Sequence, residues 1–454
     1  MLRLGMGAGL AESSRLPWGK PRYEIALLAL VAFAALLPVY PGSTQDVSRL
    51  CLSRAVLHGH LTIQPCASKS IDRAIYQGRE YSDKAPGLAF LAVPIVWAVE
   101  LGGPPGINHS DTAQLKLWTI RFVVSGLAFL ALAFLVGRVS EGIAPGYGGA
   151  ALVAFALGTY VCPLAATTFD HVLAATFAFG GFALAWSRRY VLAGFALALA
   201  VDTNYLGGLI AIIVAAYVLA AGWRPLLRFA AGAVVPLLLL GAYDWAAFGS
   251  PFHLSYRYVA NRYSESQSGG LFGIGVPNAH AAGQVFLGRH GILVASPVLV
   301  AAVAGTVLLA NRYRREAIVC LAVFGALVLA NLGYFLPYGG TSVGPRFLVP
   351  SLPFIALGLG PAFARWFRLT AVLAAFSIVS MALLAVARRE TPWGFVRTLV
   401  DDKHLSAGGL FIENALHWVG SPTLLSSVIV FGAFAAAYVL ALAGARSAQP
   451  WRNG

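Results

Sequence analysis

Asp83 and Lys84 stand side by side in EYSDKAPGLAFLAVP, the stretch from Glu80 to Pro94. Only 11% of the chain is charged, so a carboxylate and an ammonium at the lip of an apolar run ask for a reason. Asp46 lies in STQDVSRLCLSRAVLHGHLTI, ahead of Leu50, Leu52, Ala55, Val56 and Leu57, an apolar stripe at helical spacing. Arg346 follows Gly344-Pro345 in YGGTSVGPRFLVPSLP. Carboxylates accept protons, and Lys and Arg hold anions. Each residue also has a plainer reading: Asp46 as a helix N-cap, and Asp83-Lys84 before Pro86 as a charged helix start.

The elements that must position these residues are membrane helices. The chain is 58% hydrophobic, more than a soluble core hides, and many apolar runs are long enough to cross the hydrocarbon layer. The pattern predicts an all-α polytopic bundle with spans near 24–41, 113–137, 146–166, 171–187, 190–207, 208–222, 225–248, 291–311, 317–337, 347–364, 369–387 and 423–445. The run 85–101 decides the topology. If it stays at the outer interface, Arg138, Arg188/Arg189, Arg224/Arg228, Arg312/Arg314/Arg315 and Arg365/Arg368 all fall in short inner loops, as the positive-inside rule expects. Counting it as a span reverses that asymmetry. Both termini are then cytoplasmic, and Ile25 to Val39, behind a basic head, reads as an uncleaved first span.

This topology gathers the polar chemistry on the outer face, in 42–112, 167–171, 202–205, 249–290, 338–346 and 388–422. The expected division is a cytoplasmic segment 1–23, an N-terminal module 24–248 and a C-terminal module 249–454. The net charge of +14 belongs to the loops and implies no nucleic-acid partner. Span centres carry almost no ionisable residues, which speaks against a proton relay or ion path. No Walker, GxGxxG, HExxH or paired CxxC pattern is present. Cys51 and Cys66 share an oxidising outer loop, whereas Cys162 and Cys320 lie in spans. A Cys51–Cys66 disulfide is expected, against the alternative of two unpaired small hydrophobes.

The order of these motifs resembles the C-type glycosyltransferase superfamily, membrane enzymes that use polyprenyl-phosphate-linked sugars. The likeness is nearest to the branch of protein mannosyltransferases and the lipid A aminoarabinose transferase. It rests on Asp46 after the first span, an amphipathic stretch 47–59, Tyr81-x-Asp83-Lys84-Ala85-Pro86, Asp170 in TTFDHV, and the segment 338–353. It covers roughly the first 210 residues and that segment. Asp46-Val47 replaces a pair of acids, Ala85 interrupts Lys-Pro-Pro, and Asp202-Thr203-Asn204 stands where relatives often carry a Lys.

The resemblance implies sugar transfer from a polyprenyl-phosphate donor to an acceptor hydroxyl on a glycan, lipid or protein, at the outer face of the cytoplasmic membrane. Asp46 is expected as the base of an inverting reaction. Lys84 and Arg346 are the expected phosphate partners, with Arg257, Arg262 and Arg289 in reserve. Tyr81, Asp83, Asp170, His171 and His253 are expected near the substrate. A divalent metal on His171, His253 and Asp83 stays open, because lone histidines more often pack than ligate. FHLSYRYVANRYSESQSGG either lines the pocket or is a solvated loop. The competing class is a secondary transporter or flippase, but transporters place substrate at the midplane within repeated halves. A lipid-binding scaffold is the third reading.

Overall fold

A computed structural model describes residues 15–37, 43–67, 70–101, 111–268, 273–288, 291–337, 339, 344–387 and 422–446. The chain is an all-α polytopic membrane bundle, and each expected span contains helix among its described residues. The helices of the N-terminal half are α1 (Glu24–Leu36), α2 (Thr44–Leu57), α3 (Gly87–Glu100), α4 (Asp111–Arg121), α5 (Leu127–Ile143), α6 (Gly148–Gly158), α7 (Val161–Ala165), α8 (His171–Trp186), α9 (Tyr190–Thr203), α10 (Gly207–Leu219) and α11 (Trp223–Phe248). The C-terminal half adds α12 (Ser264–Ser268), α13 (Ala279–Ala282), α14 (Ile292–Ala295), α15 (Val298–Leu309), α16 (Arg314–Gly333), α17 (Leu352–Ala356), α18 (Leu359–Arg365), α19 (Phe367–Ala387) and α20 (Pro422–Arg446).

Among the described residues, five helices are each long and apolar enough to cross a membrane, and joining two bent pairs raises this to seven. The other apolar helices are shorter and are built into the bundle by close packing. The core shows how. Along α6, GGAALVAFALG is buried at every position, because its small residues let neighbouring helices close around it. The seam of α9 and α11 uses the same device. A Cβ at Gly194 would land on the Phe229 carbonyl, and one at Gly232 on the Val191 carbonyl.

The first outer loop departs from the purely helical expectation. Arg73–Tyr76 (β1) and Arg79–Ser82 (β2) form a small antiparallel hairpin. Its two-residue turn, Gln77-Gly78, has both φ values positive, as a tight hairpin requires. An isolated bridge, Ala74 to Val259, stitches this hairpin to the loop after α11. The helix α2 also departs from expectation. It does not rest on a surface with one polar face open: Gln45, Asp46, Ser48, Arg49 and Ser53 are all buried. Ser53 Oγ donates to the Ala89 carbonyl of α3 at 2.8 Å, and Arg49 is bound to the turn before α8. Polar contacts on two sides hold this helix inside the protein.

Candidate functional site

The N-terminus of α2 is fixed by a capping box. Ser43 Oγ accepts from the Asp46 backbone N–H, while Ser43 N–H and Oγ–H donate to Asp46 Oδ2 at 2.7 and 2.6 Å. Arg121, the last residue of α4, donates Nε to Asp46 Oδ1 at 3.1 Å and Nη2 to Oδ2 at 2.7 Å. Thr168 Oγ1 adds a bond to Oδ1 at 2.6 Å. Burial alone would raise the Asp46 pKa, but Arg121 and these hydrogen bonds overcome it and hold it at about 2. Both oxygens are occupied, and Asp46 does not line the cavity described below.

One turn further, Arg49 donates Nη1 to Gln45 Oε1 and Nη2 to Asp170 Oδ2, at 2.6 and 2.7 Å. Asp170 occupies the N-cap position of α8. Its Oδ1 accepts from Asn204 Nδ2 at 3.2 Å and lies 2.8 Å from His171 Nδ1. Against the effect of burial, the Arg49 charge holds Asp170 well below the usual carboxylate range.

The hairpin delivers the next pair. Pairing of Ser82 with Arg73 ends β2 just before Asp83-Lys84, and Ser255 Oγ donates to the Asp83 carbonyl at 3.0 Å. Lys84 Nζ lies 2.8 Å from Asp83 Oδ2 and 2.9 Å from Asp72 Oδ1. Asp72 also accepts from the Thr44 hydroxyl. Burial works against charge on Lys84, yet the two carboxylates raise its pKa. Asp83 Oδ1 is buried without a partner. Burial raises the Asp83 pKa, and the nearby Asp72 charge adds to this, while Lys84 opposes it.

Arg346 enters from the other side. Gly344 takes φ +115°, a conformation suited to glycine, and its Cα packs onto the ring of Tyr160. The Arg346 guanidinium then lies 4.7 Å from the Phe169 ring centre and 5.3 Å from that of Phe347. Its Nε is buried and makes no hydrogen bond. Burial lowers the Arg346 pKa, with Asp72 and Asp170 opposing. Lys84 is thus already neutralised, while Arg346 has its charge stacked between rings and a donor to spare.

These groups surround a cavity of about 250 Å³ that also takes in His171, Arg262, Asn261 and Tyr256. A second space of about 300 Å³, lined mainly by Leu206, Leu209, Ile212, Leu240, Leu254 and Ile274, shares Asn204, Tyr256, Tyr334 and Phe347 with the first. The site is therefore a charged chamber sharing a wall with an apolar groove.

Of the residues singled out from sequence, Lys84, Arg346, Arg262, Asp83, Asp170 and His171 line the chamber. Tyr81 instead packs on Phe248, ring centres 5.2 Å apart, in a satellite core. His253 Nδ1 is 2.9 Å from Tyr258 Oη, and neither it nor Arg257 lines the chamber. His171, His253 and Asp83 do not converge, and no group of three His, Cys, Asp or Glu suited to a metal occurs among the described residues. Cys51 and Cys66 are bonded, joining α2 to the segment before the hairpin. Arg289 and residues 388–421 lie outside the described residues. Sequence reasoning missed Asp72, Arg121, Thr168 and Tyr334, while the stretch FHLSYRYVANRYSESQSGG does supply Tyr256, Asn261, Arg262 and Tyr263 to the chamber.

No protein-family model matches the chain, and no curated protein matches it in sequence. Its fold is shared with the crystal structure of ArnT from Cupriavidus metallidurans bound to undecaprenyl phosphate, at a TM-score of 0.52 and 16% identity, covering 93% of this chain and 76% of that one. The same protein in the apo state gives 0.48 over the same shares at 16% identity. The Archaeoglobus fulgidus oligosaccharyltransferase in its apo form gives 0.42 at 14% identity, covering 95% of this chain and 57% of that one. The fold is the one that the motif resemblance implies.

Proposed function

We propose that the protein transfers a sugar from a polyprenyl-phosphate donor to an acceptor hydroxyl, with inversion at the anomeric carbon. One observation carries this reading: a charged chamber, holding a buried guanidinium whose Nε makes no hydrogen bond, shares a wall with an apolar groove. That shape suits a ligand whose phosphate and sugar sit in the chamber while its isoprenoid chain lies in the groove. A transporter site at mid-membrane would not need the groove.

In this reading the acceptor oxygen attacks the anomeric carbon, and the bond from that carbon to the phosphate oxygen breaks. The electron pair leaves with the phosphate, whose charge grows from one to two. Arg346 matches that growing charge with fixed N–H donors. Sequence alone gave the proton-accepting role to Asp46. Its two oxygens are held by Ser43, Arg121 and Thr168 and it does not line the chamber, so we assign the role to Asp83, whose Oδ1 has no partner and whose pKa is raised. Lys84 keeps Asp83 ionised and placed, and Asp46 braces the end of α2.

The test is transfer from radiolabelled polyprenyl-phosphate sugars by the purified protein. Asp83→Asn is expected to bind donor normally and lose on the order of a hundredfold or more in turnover. Arg346→Ala is expected to raise the donor KM roughly tenfold to a hundredfold, as loss of a charged hydrogen bond does. Native turnover by Asp83→Asn would return the role to another carboxylate. Absence of transfer from every donor tried, with saturable donor binding, would favour the scaffold reading.

A further inference from the structure

A third cavity, of about 770 Å³, lies at the far end of α8 from the chamber, lined by Arg15, Trp18, Gly180, Leu184, Arg188 and Arg189 among others. The sixteen residues of α8 put about 24 Å, most of a hydrocarbon layer, between its capping Asp170 and the arginine end of this cavity. Among the described residues, no carboxylate lines the cavity. The acids nearby are occupied: Glu141 accepts from the Gly146 and Gly148 N–H groups, and Glu24 faces Arg138. The side chains of Arg15 and Arg189 have no hydrogen-bond or ion-pair partner among the described residues.

The wall that carries Arg15 is tied down. Gly19 N–H donates to the Arg138 carbonyl at 2.9 Å, a Cβ at Gly142 would strike the Pro17 backbone, and Arg138 lies 4.9 Å from the Trp18 ring centre. Below the arginines the lining turns apolar, with Leu16, Leu135, Ala183 and Leu184. Gly180 leaves a slot there, since a Cβ at that position would meet nothing within 4 Å.

We infer that this cavity binds an anionic glycerophospholipid, with its phosphate at Arg15 and Arg189 and an acyl chain in the slot beside Gly180. Basic pockets between membrane helices on the cytoplasmic side select anionic headgroups. The positive-inside reading puts this end of α8 on that side. A free anion would use the arginines and leave the apolar floor and the slot without a role. The site is separate from the transfer chamber and stands whether or not sugar transfer is the reaction.

The test is thermal unfolding of the full-length protein in detergent, with dioleoyl phosphatidylglycerol, dioleoyl phosphatidylcholine or inorganic phosphate added. Phosphatidylglycerol is expected to raise the unfolding midpoint at a lipid concentration where phosphatidylcholine does little and millimolar phosphate does nothing. Gly180→Leu puts its Cβ in open space and its longer side chain into the slot, so it is expected to unfold no lower than wild type without lipid. Both it and the double variant Arg15→Ala/Arg189→Ala should need on the order of tenfold more phosphatidylglycerol for the same shift. Equal shifts from the two lipids, the same shift from phosphate alone, or wild-type lipid response in both variants would overturn the proposal.

Discussion

At Asp46 the carboxylate is a bracket between three segments of chain, and its pKa of about 2 measures how firmly it is held. The depressed value sets a direction. In the unfolded chain the group titrates near 3.8, so the folded state gains stability above that pH and loses it as pH falls toward 2, about 2 kcal/mol in all. Asp46→Asn should remove this acid-side dependence. It should also lower stability by about 1.5–3 kcal/mol, because the charged hydrogen bonds from Arg121 to the carboxylate would be lost; chemical unfolding across the acid range reads both. Asp83 has the opposite sign. Its raised pKa means that transfer should fall, as pH drops, at a higher pH than an ordinary carboxylate would give. Lys84 opposes that rise, so Lys84→Met should move the acid limb of the pH–rate profile upward. A limb that stays in place would detach Lys84 from the base.

At the scale of the element, the hairpin and α2 form one unit clipped by the Cys51–Cys66 bond. Closing about fifteen residues contributes on the order of 3 kcal/mol by constraining the unfolded chain. Cys51→Ser/Cys66→Ser should therefore lower the unfolding midpoint and loosen Asp83-Lys84, seen as a higher donor KM; a variant equal to wild type in both would show the clip to be idle. This unit also shows what the sequence made legible. Asp83, Lys84, Asp170 and Arg346 stood out because charges are few in so apolar a chain. Asp72 did not, since it sits among Lys69, Arg73, Arg79 and Glu80, where nothing local marks it. The grip on Asp46 was unreadable for another reason: Arg121 and Thr168 lie 75 and 122 positions away, and no periodicity encodes such contacts. The helices of the bundle were readable because hydrophobic runs report burial directly; the polar face of α2 misled because its partners come from distant turns.

Over the whole molecule, the topology is the remaining premise. If α3 lies at the outer interface, cysteines placed at Arg138 and Arg314 should resist membrane-impermeant reagents in intact cells. Labelling of both from outside would place the chamber on the opposite face. Within the chamber, the contact between Lys84 and Asp83 has a consequence for the catalytic cycle. If Asp83 is the base, as proposed, it takes a proton as the phosphate gains one negative charge, so the enclosed charge total does not change. The chemical step then needs no counter-ion to enter. The cost falls on resetting: before another donor binds, the lipid phosphate must leave and Asp83 must pass its proton to water. Turnover would then be governed by how fast the lipid phosphate and the proton depart.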